Sequence, residues 1–228
     1  FGIQAWVLLA LAAATGAPEL LDWLTRGRGE ARRVLCGLAI LLLIGAGLAY
    51  VPLGTAARVA ERFPGGSPPV GTLDGLAYMQ TGIYHWPDEE HPIALRHDHE
   101  AIQWLLAHVR GAPVIAEATI GYYREGGSRI AAYTGFPTLA GMHQIEQRPA
   151  ELVNERTALA GEMYRSPDLD ETMAILQRLD VRYVYAGQLE EAAYGPGARA
   201  KFDALAARGD LAVAYRNEKV VIYEVVRR

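Results

Sequence analysis

The chain has 228 residues, of which 51% are hydrophobic and 21% are charged, and its formal net charge at pH 7 is -4. No basic face of the density that nucleic acids require is present, which argues against a nucleic-acid partner. The single cysteine, Cys36, excludes a disulfide within the chain and a cysteine-based metal site. Residues up to about Val51 are strongly apolar, whereas those beyond Pro52 have mixed charge and frequent tyrosine and turn residues.

Two apolar segments near the start predict transmembrane helices. Residues 34–51 contain no charge and, at about 1.5 Å per residue, cover most of a hydrocarbon core of about 30 Å. Tyr50 suits the membrane interface, and we expect Pro52 and Gly54 to end this helix. Residues 1–17 form a second segment of the same kind, so residues 1–52 are assigned to two transmembrane helices in the lipid bilayer and the loop that joins them.

The loop between the two predicted helices is basic. It carries four arginines and one glutamate: Arg26, Arg28, Arg32, Arg33 and Glu30. A short basic loop belongs on the cytoplasmic side of a membrane, so the domain that follows is predicted to be extracytoplasmic. A hairpin of a cytosolic domain is the alternative. Because Phe1 opens directly into an apolar stretch without a basic n-region, we expect the C-terminal piece of a longer multi-pass protein of the cytoplasmic membrane, not a signal peptide.

Residues 53–70 are predicted to be a linker, since 63–69 are rich in proline and glycine, and residues 71–228 are predicted to form one domain. Its start is expected to be irregular up to His97, with Asp98 as the N-cap of an amphipathic helix. The further expected elements are a strand at 114–119, helices at 128–133, 152–164, 169–179 and 198–207, a strand at 181–185, and a hairpin of 211–216 and 219–226. This order predicts an α/β sandwich with a mixed sheet.

Four histidines lie close together in the sequence: His85, His91, His97 and His99. Imidazole and the carboxylates near them are good zinc ligands, which would suit a metal-dependent hydrolase. Their spacing fits no defined site, however. Asp98 is better explained as a helix cap and Glu100 as a favourable first-turn charge, so no metal ligand is assigned.

Two loops offer candidate ligand-binding residues. Glu117 is predicted to lie within an otherwise apolar strand that leads into a glycine-rich loop with Tyr122 and Tyr123, a frequent placement for a ligand contact. Pairing of Glu117 with Arg124 or Arg129 at the sheet edge is equally open.

The second loop follows residues 134–138 and contains His143 and Arg148, which are candidates for binding a phosphate or a sugar, or else are solvated loop residues. No Ser-His-Asp pattern or nucleophile elbow is present, so no catalytic residue is assigned.

Several stretches together carry a family resemblance, at residues 73–79, 98–105, 111–118, 129–138, 181–187 and 194–202. They include Gly111-Ala-Pro-Val-Ile-Ala-Glu-Ala118 and Arg129-Ile-Ala-Ala-Tyr-Thr-Gly-Phe-Pro-Thr138. The chain from about Leu73 to Phe202 resembles the C-terminal region of the "YYY" family of prokaryotic multi-pass membrane proteins. That family in turn resembles the GT-C glycosyltransferases.

The resemblance implies a full-length enzyme that transfers a sugar from a polyprenyl-phosphate donor to a glycan acceptor outside the cytoplasmic membrane. Its acidic catalytic loop would precede Phe1, and a divalent metal is possible in the full-length protein. The outer domain would help to shape the substrate cleft through Glu117, Tyr122, Tyr123, Arg129, His143 and Arg148. The family pattern has a tryptophan-rich segment after residues 134–138, which this chain lacks. The alternative is a non-catalytic, membrane-anchored module that binds a partner or a polysaccharide.

Overall fold

The computed structural model describes residues 2–26, 29–62, 71–121, 126–141 and 146–227 and divides the chain into two compact units, residues 1–62 and 63–228. The first unit consists of helices α1 (Gly2–Thr25) and α2 (Glu30–Arg62). By length and composition, the part of α2 from Val34 to Arg62 can cross a membrane, in agreement with the span predicted at 34–51. Helix α1 holds a shorter apolar stretch, Val7–Glu19, so a second span at residues 1–17 stays a prediction.

The prediction that α2 ends at Pro52 and Gly54 is wrong. The helix continues through Pro52 to Arg62. A proline removes only one backbone hydrogen bond, and the alanine-rich residues beyond it favour helix. Arg58 and Glu61 also form an ion pair of 3.4 Å on the surface of this extension. The predicted linker at 53–70 is therefore helical over 53–62, and its remaining residues lie outside the described ranges.

The second unit is built on a mixed four-stranded sheet, as predicted. Its strands are β3 (Val114–Ala116), β4 (Val181–Ala186), β5 (Leu211–Arg216) and β6 (Val221–Val225), in the order β3-β4-β6-β5. Strands β3 and β4 are parallel, whereas β6 is antiparallel to both β4 and β5. Strands β1 (Ile83–His85) and β2 (Pro92–Ala94) form a separate two-stranded antiparallel sheet.

Helices cover both faces of the sheet. They are α3 (Leu95–His108), α4 (Arg129–Thr134), α5 (Ala150–Arg165), α6 (Leu169–Arg178), α7 (Gln188–Tyr194) and α8 (Gly197–Arg208), with a 3-10 turn at Ala77–Gln80. Strand β6 shows how the layers form, because its side chains alternate between the two faces. Ile222 packs in the core beneath α3 and α4, whereas Val221 and Tyr223 pack in the core beneath α5, α6 and α8.

Local sequence signals placed several elements correctly. Helix α4 ends at Gly135 and α8 at Gly209, whose φ angles of 75° and 85° are in the left-handed region that favours glycine. Asp168 is the N-cap of helix α6, and its side chain accepts hydrogen bonds from the amides of Asp170 and Glu171 at 2.8 and 3.1 Å. The predicted hairpin of β5 and β6 is also present.

Other predictions for this unit are wrong. The stretch before His97, which was expected to be irregular, contains the β1–β2 hairpin, and α3 begins at Leu95. Asp98 therefore lies inside α3 and is not its N-cap. Strand β3 ends at Ala116, so Glu117 follows the strand and does not lie within it. Helix α7 was not predicted at all.

Candidate functional site

Four charged side chains are buried together where the parallel strands β3 and β4 end. They are Asp98 on α3, Glu117 after β3, Arg129 at the start of α4, and Glu190 on α7. We call this group the buried charge network. The carboxyl ends of parallel strands are the usual place for ligand sites in open α/β sheets, so this network lies where a ligand site is expected.

Arg129 is held between two carboxylates. Its Nη2 donates to Asp98 Oδ1 at 3.1 Å and to Glu190 Oε2 at 3.0 Å, and its Nη1 donates to Glu190 Oε1 at 3.2 Å. Burial by itself lowers the pKa of Arg129, but the Asp98 and Glu190 carboxylates outweigh it and raise the pKa well above its usual value. The guanidinium is therefore permanently charged and fixed in orientation.

Glu190 joins the ends of the two parallel strands. Besides its two hydrogen bonds with Arg129, its Oε1 accepts from the Ala118 amide and its Oε2 from the Gly187 amide, both at 3.0 Å. Ala118 follows β3 and Gly187 follows β4. One carboxylate thus accepts from three groups that approach from different segments, which stabilises the edge of the sheet.

Glu117 serves as the cap of a helix that lacks one of its own. Its Oε2 accepts from the Ile130 amide at 2.7 Å and its Oε1 from the Ala131 amide at 3.0 Å. Ser128, the residue before α4, has a φ of 57° and makes no capping hydrogen bond. The two amides that Glu117 binds are those that a local N-cap side chain would otherwise satisfy.

Burial raises the pKa of the Glu117 carboxyl to about 7, although Arg129 and the two amide hydrogen bonds act in the opposite direction. The sequence left open whether Glu117 contacts a ligand or pairs with Arg124 or Arg129. In the structure its carboxylate accepts from two backbone amides, and Arg129 acts on it only through its charge. Arg124 lies outside the described residues.

Tyrosine hydroxyls surround the network. The Tyr185 hydroxyl donates a short hydrogen bond to Asp98 Oδ1, and burial, followed by the Asp98 charge, raises the pKa of Tyr185. The Tyr164 hydroxyl donates to the carbonyls of Ala116 at 3.1 Å and Tyr185 at 2.7 Å, so it bridges β3 and β4. Tyr194 stacks on Tyr164 with ring centroids 4.7 Å apart. Aromatic packing and hydrogen bonds therefore fix the end of β3 from both sides.

The network is closed to direct contact with a substrate. Relative exposure is 0% for Asp98 and Glu190, 1% for Glu117 and 8% for Arg129. Its carboxylates and its arginine pair with one another and with backbone amides, and among the described residues only Asp98 Oδ2 and Arg129 Nε of this network lack a hydrogen-bond partner. Its chemical role is to hold α4 and the segment after β3 in place, as a support for binding groups elsewhere.

The structure brings two of the predicted binding residues together and separates a third from them. Glu117 and Arg129 belong to the buried charge network, whereas Arg148 lies outside it and lines a cavity of about 360 Å³. Tyr122, Tyr123 and His143 lie outside the described residues.

Sequence reasoning missed Asp98, Glu190 and Tyr185 as members of this site. Glu190 could have been found from one local signal. It stands three residues after Gly187, the position from which an acidic side chain reaches back to the first amide of a helix.

The histidine-rich stretch forms local pairs. His91 Nδ1 lies 2.6 Å from Asp88 Oδ1, and His85 Nδ1 lies 3.6 Å from Glu89 Oε2. Over the described residues, no group of three or more histidine, cysteine or acidic side chains is arranged to hold a metal ion. The hydrolase hypothesis therefore gains no support from this part of the chain.

No family model and no curated protein sequence matches this chain. Among solved structures, it is similar to the C-terminal globular domain of an oligosaccharyltransferase from Archaeoglobus fulgidus. The two share 15% sequence identity with a TM-score of 0.37, over 56% of this chain and 95% of that domain. A likeness this distant assigns no family, so the resemblance to the "YYY" and GT-C proteins stays an expectation.

Proposed function

We propose that the chain is the C-terminal part of a GT-C-like membrane glycosyltransferase whose outer α/β domain assists the binding of a polyprenyl-phosphate-linked sugar or its acceptor. An apolar helix long enough to cross a membrane, α2, supports the membrane location. The arginine-rich segment before it supports an outer position for residues 71–228. The sequence resemblance between Leu73 and Phe202 supports the enzyme class.

The buried charge network is the observation that carries a supporting rather than a catalytic role for this domain. Glu117 and Arg129 are both fixed at the carboxyl edge of the sheet, one by the amides of α4 and the other by two carboxylates. Glu117 and Arg129, which flank Tyr122 and Tyr123 in the sequence, are thus both held on a rigid base. Rigid scaffolds commonly position binding loops in this way.

Labelling of single cysteines tests the proposed topology. Cys36 is the only cysteine, so Cys36→Ala in the full-length gene product gives a background without thiols in this region. We expect a membrane-impermeant maleimide to label Glu218→Cys, whose native side chain is 64% exposed, in intact cells. Arg26→Cys should react only after permeabilisation. The reverse pattern would place the α/β domain in the cytoplasm and end the proposal.

A transfer assay separates the enzyme from a binding module. Membranes that contain the full-length protein should transfer sugar from a polyprenyl-phosphate donor, and replacing the acidic residue of the upstream external loop should abolish transfer. The alternative, a non-catalytic glycan-binding module, is favoured by the burial of the network, which keeps its charged groups from a substrate. It predicts glycan binding without transfer from any polyprenyl-phosphate sugar, a result that would replace the proposed function.

A further inference from the structure

A cavity beside the start of α5 differs in character from the buried charge network. Its volume is about 360 Å³, and its described lining consists of Thr138, Leu139, Arg148, Leu152, Val153 and Arg156. Leu152 and Arg156 are four residues apart on α5, a spacing that places both side chains on one side of the helix, and Arg148 lies two residues before the helix begins. The turn before α5 and its first two turns therefore present two arginines to the same space.

Both arginines lack the partners that other arginines of this unit have. Within the described ranges, neither Arg148 nor Arg156 forms an ion pair or a side-chain hydrogen bond, and no acidic residue lines the cavity. Arg178, Arg182 and Arg216 each pair with a carboxylate instead. The cavity thus concentrates two positive charges that no described side chain neutralises, and anions are attracted to such a place.

A polar group inside the cavity wall also lacks a partner. The Thr138 Oγ1 atom is buried and has no hydrogen-bond partner among the described residues. A buried hydroxyl without a partner is costly, so a ligand oxygen here would be stabilising. Leu139 and Val153 form a buried apolar wall, and Leu152, 57% exposed, extends it towards solvent.

We propose that this cavity binds a phosphoryl group attached to an organic molecule. Each guanidinium offers planar, paired N–H donors that match the oxygens of a phosphate. The apolar wall contacts the organic part of the ligand. The phosphoryl site in this cavity does not depend on the proposed function. The choice of a polyprenyl phosphate as the ligand does rest on the proposed function. Inorganic phosphate and a polyprenyl phosphate share the chemistry that the arginines recognise.

Calorimetric titration of the full 228-residue chain in detergent micelles with inorganic phosphate tests the cavity. At constant ionic strength, Arg148→Gln and Arg156→Gln should each weaken binding about tenfold, which corresponds to about 1.4 kcal/mol. The double variant should bind no phosphate above the background of the micelles. Arg178→Gln is the matched control, because it removes the same charge from the neighbouring helix α6 and lies outside the cavity. It should bind as the unchanged protein does.

Equal binding by all variants, or an equal loss in Arg178→Gln, would overturn the proposal. A second arm uses phosphatidylcholine nanodiscs with and without a polyprenyl phosphate, with the same variants. Binding of polyprenyl phosphate that depends on Arg148 and Arg156 supports both the cavity and the proposed function. Arginine-dependent binding of inorganic phosphate without any of the lipid supports the cavity and counts against the proposed carrier.

Discussion

Replacing Arg129 with methionine should destabilise the α/β unit severely. The substitution removes three hydrogen bonds and leaves the Asp98 and Glu190 carboxylates, each 0% exposed, without a positive partner. Breaking a buried ion pair from one side costs about 3–5 kcal/mol. At roughly 2–4 °C per kcal/mol for a domain of this size, the melting temperature should fall by about 6–20 °C. Near-UV circular dichroism of the full chain in detergent, heated or titrated with urea, measures the loss.

Two further variants show whether the uncompensated charge is the cause. Arg178→Met removes an arginine that is 60% exposed and pairs with Glu155, so it should cost at most about 1 kcal/mol. Combining Arg129→Met with Glu190→Gln removes one of the two unpaired buried carboxylates and should recover part of the lost free energy of unfolding. If Arg129→Met costs no more than Arg178→Met, or if the double variant is no more stable than Arg129→Met, the network does not stabilise the fold in the way described.

Two other substitutions test the same edge of the sheet. Burial raises the pKa of Glu117 from 4.5 to about 7, so its contribution to the free energy of unfolding is fully present below about pH 4.5 and is lost as the pH rises through about 7. Glu117→Gln cannot titrate and should flatten that fall in urea-denaturation profiles, whereas an unchanged slope would contradict the assignment. A Cβ atom at Gly127 would lie 2.2 Å from the carbonyl oxygen of Ile120, so Gly127→Ala should cost about 1–3 kcal/mol in thermal unfolding. Gly75→Ala, where a Cβ meets nothing within 4 Å, is its control, and equal stability of the two variants would refute the expected clash.

Short-range patterns were enough to predict much of the α/β unit. The hairpin of β5 and β6, the helix α4 with Gly135 at its end, and the alternation of helices and strands all follow from residues close together in the sequence. Such signals are reliable because capping, turn conformation and side-chain periodicity depend on local backbone geometry. The mixed sheet follows from the same alternation.

The buried charge network could not be predicted in this way, because its contacts are long-range. Arg129 is separated in sequence from Asp98 by 31 residues and from Glu190 by 61. An aspartate within the first turn of a helix also resembles an N-cap, and tertiary pairing decided its role instead. The cap of α4 comes from Glu117, which precedes the amide of Ile130 by 13 residues, so no local pattern revealed it.

Pro52 has a further consequence, since helix α2 continues through it. Proline has no N–H, so the Leu48 carbonyl lacks the donor that the next turn normally supplies. Within hydrocarbon an unpaired carbonyl costs several kcal/mol, whereas among lipid headgroups water can hydrate it. Arg58 and Glu61, about two turns beyond Pro52, favour the same aqueous side. If α2 spans a membrane as proposed, sliding it deeper would dehydrate all three groups at once, and Pro52 would therefore oppose deeper insertion of the helix.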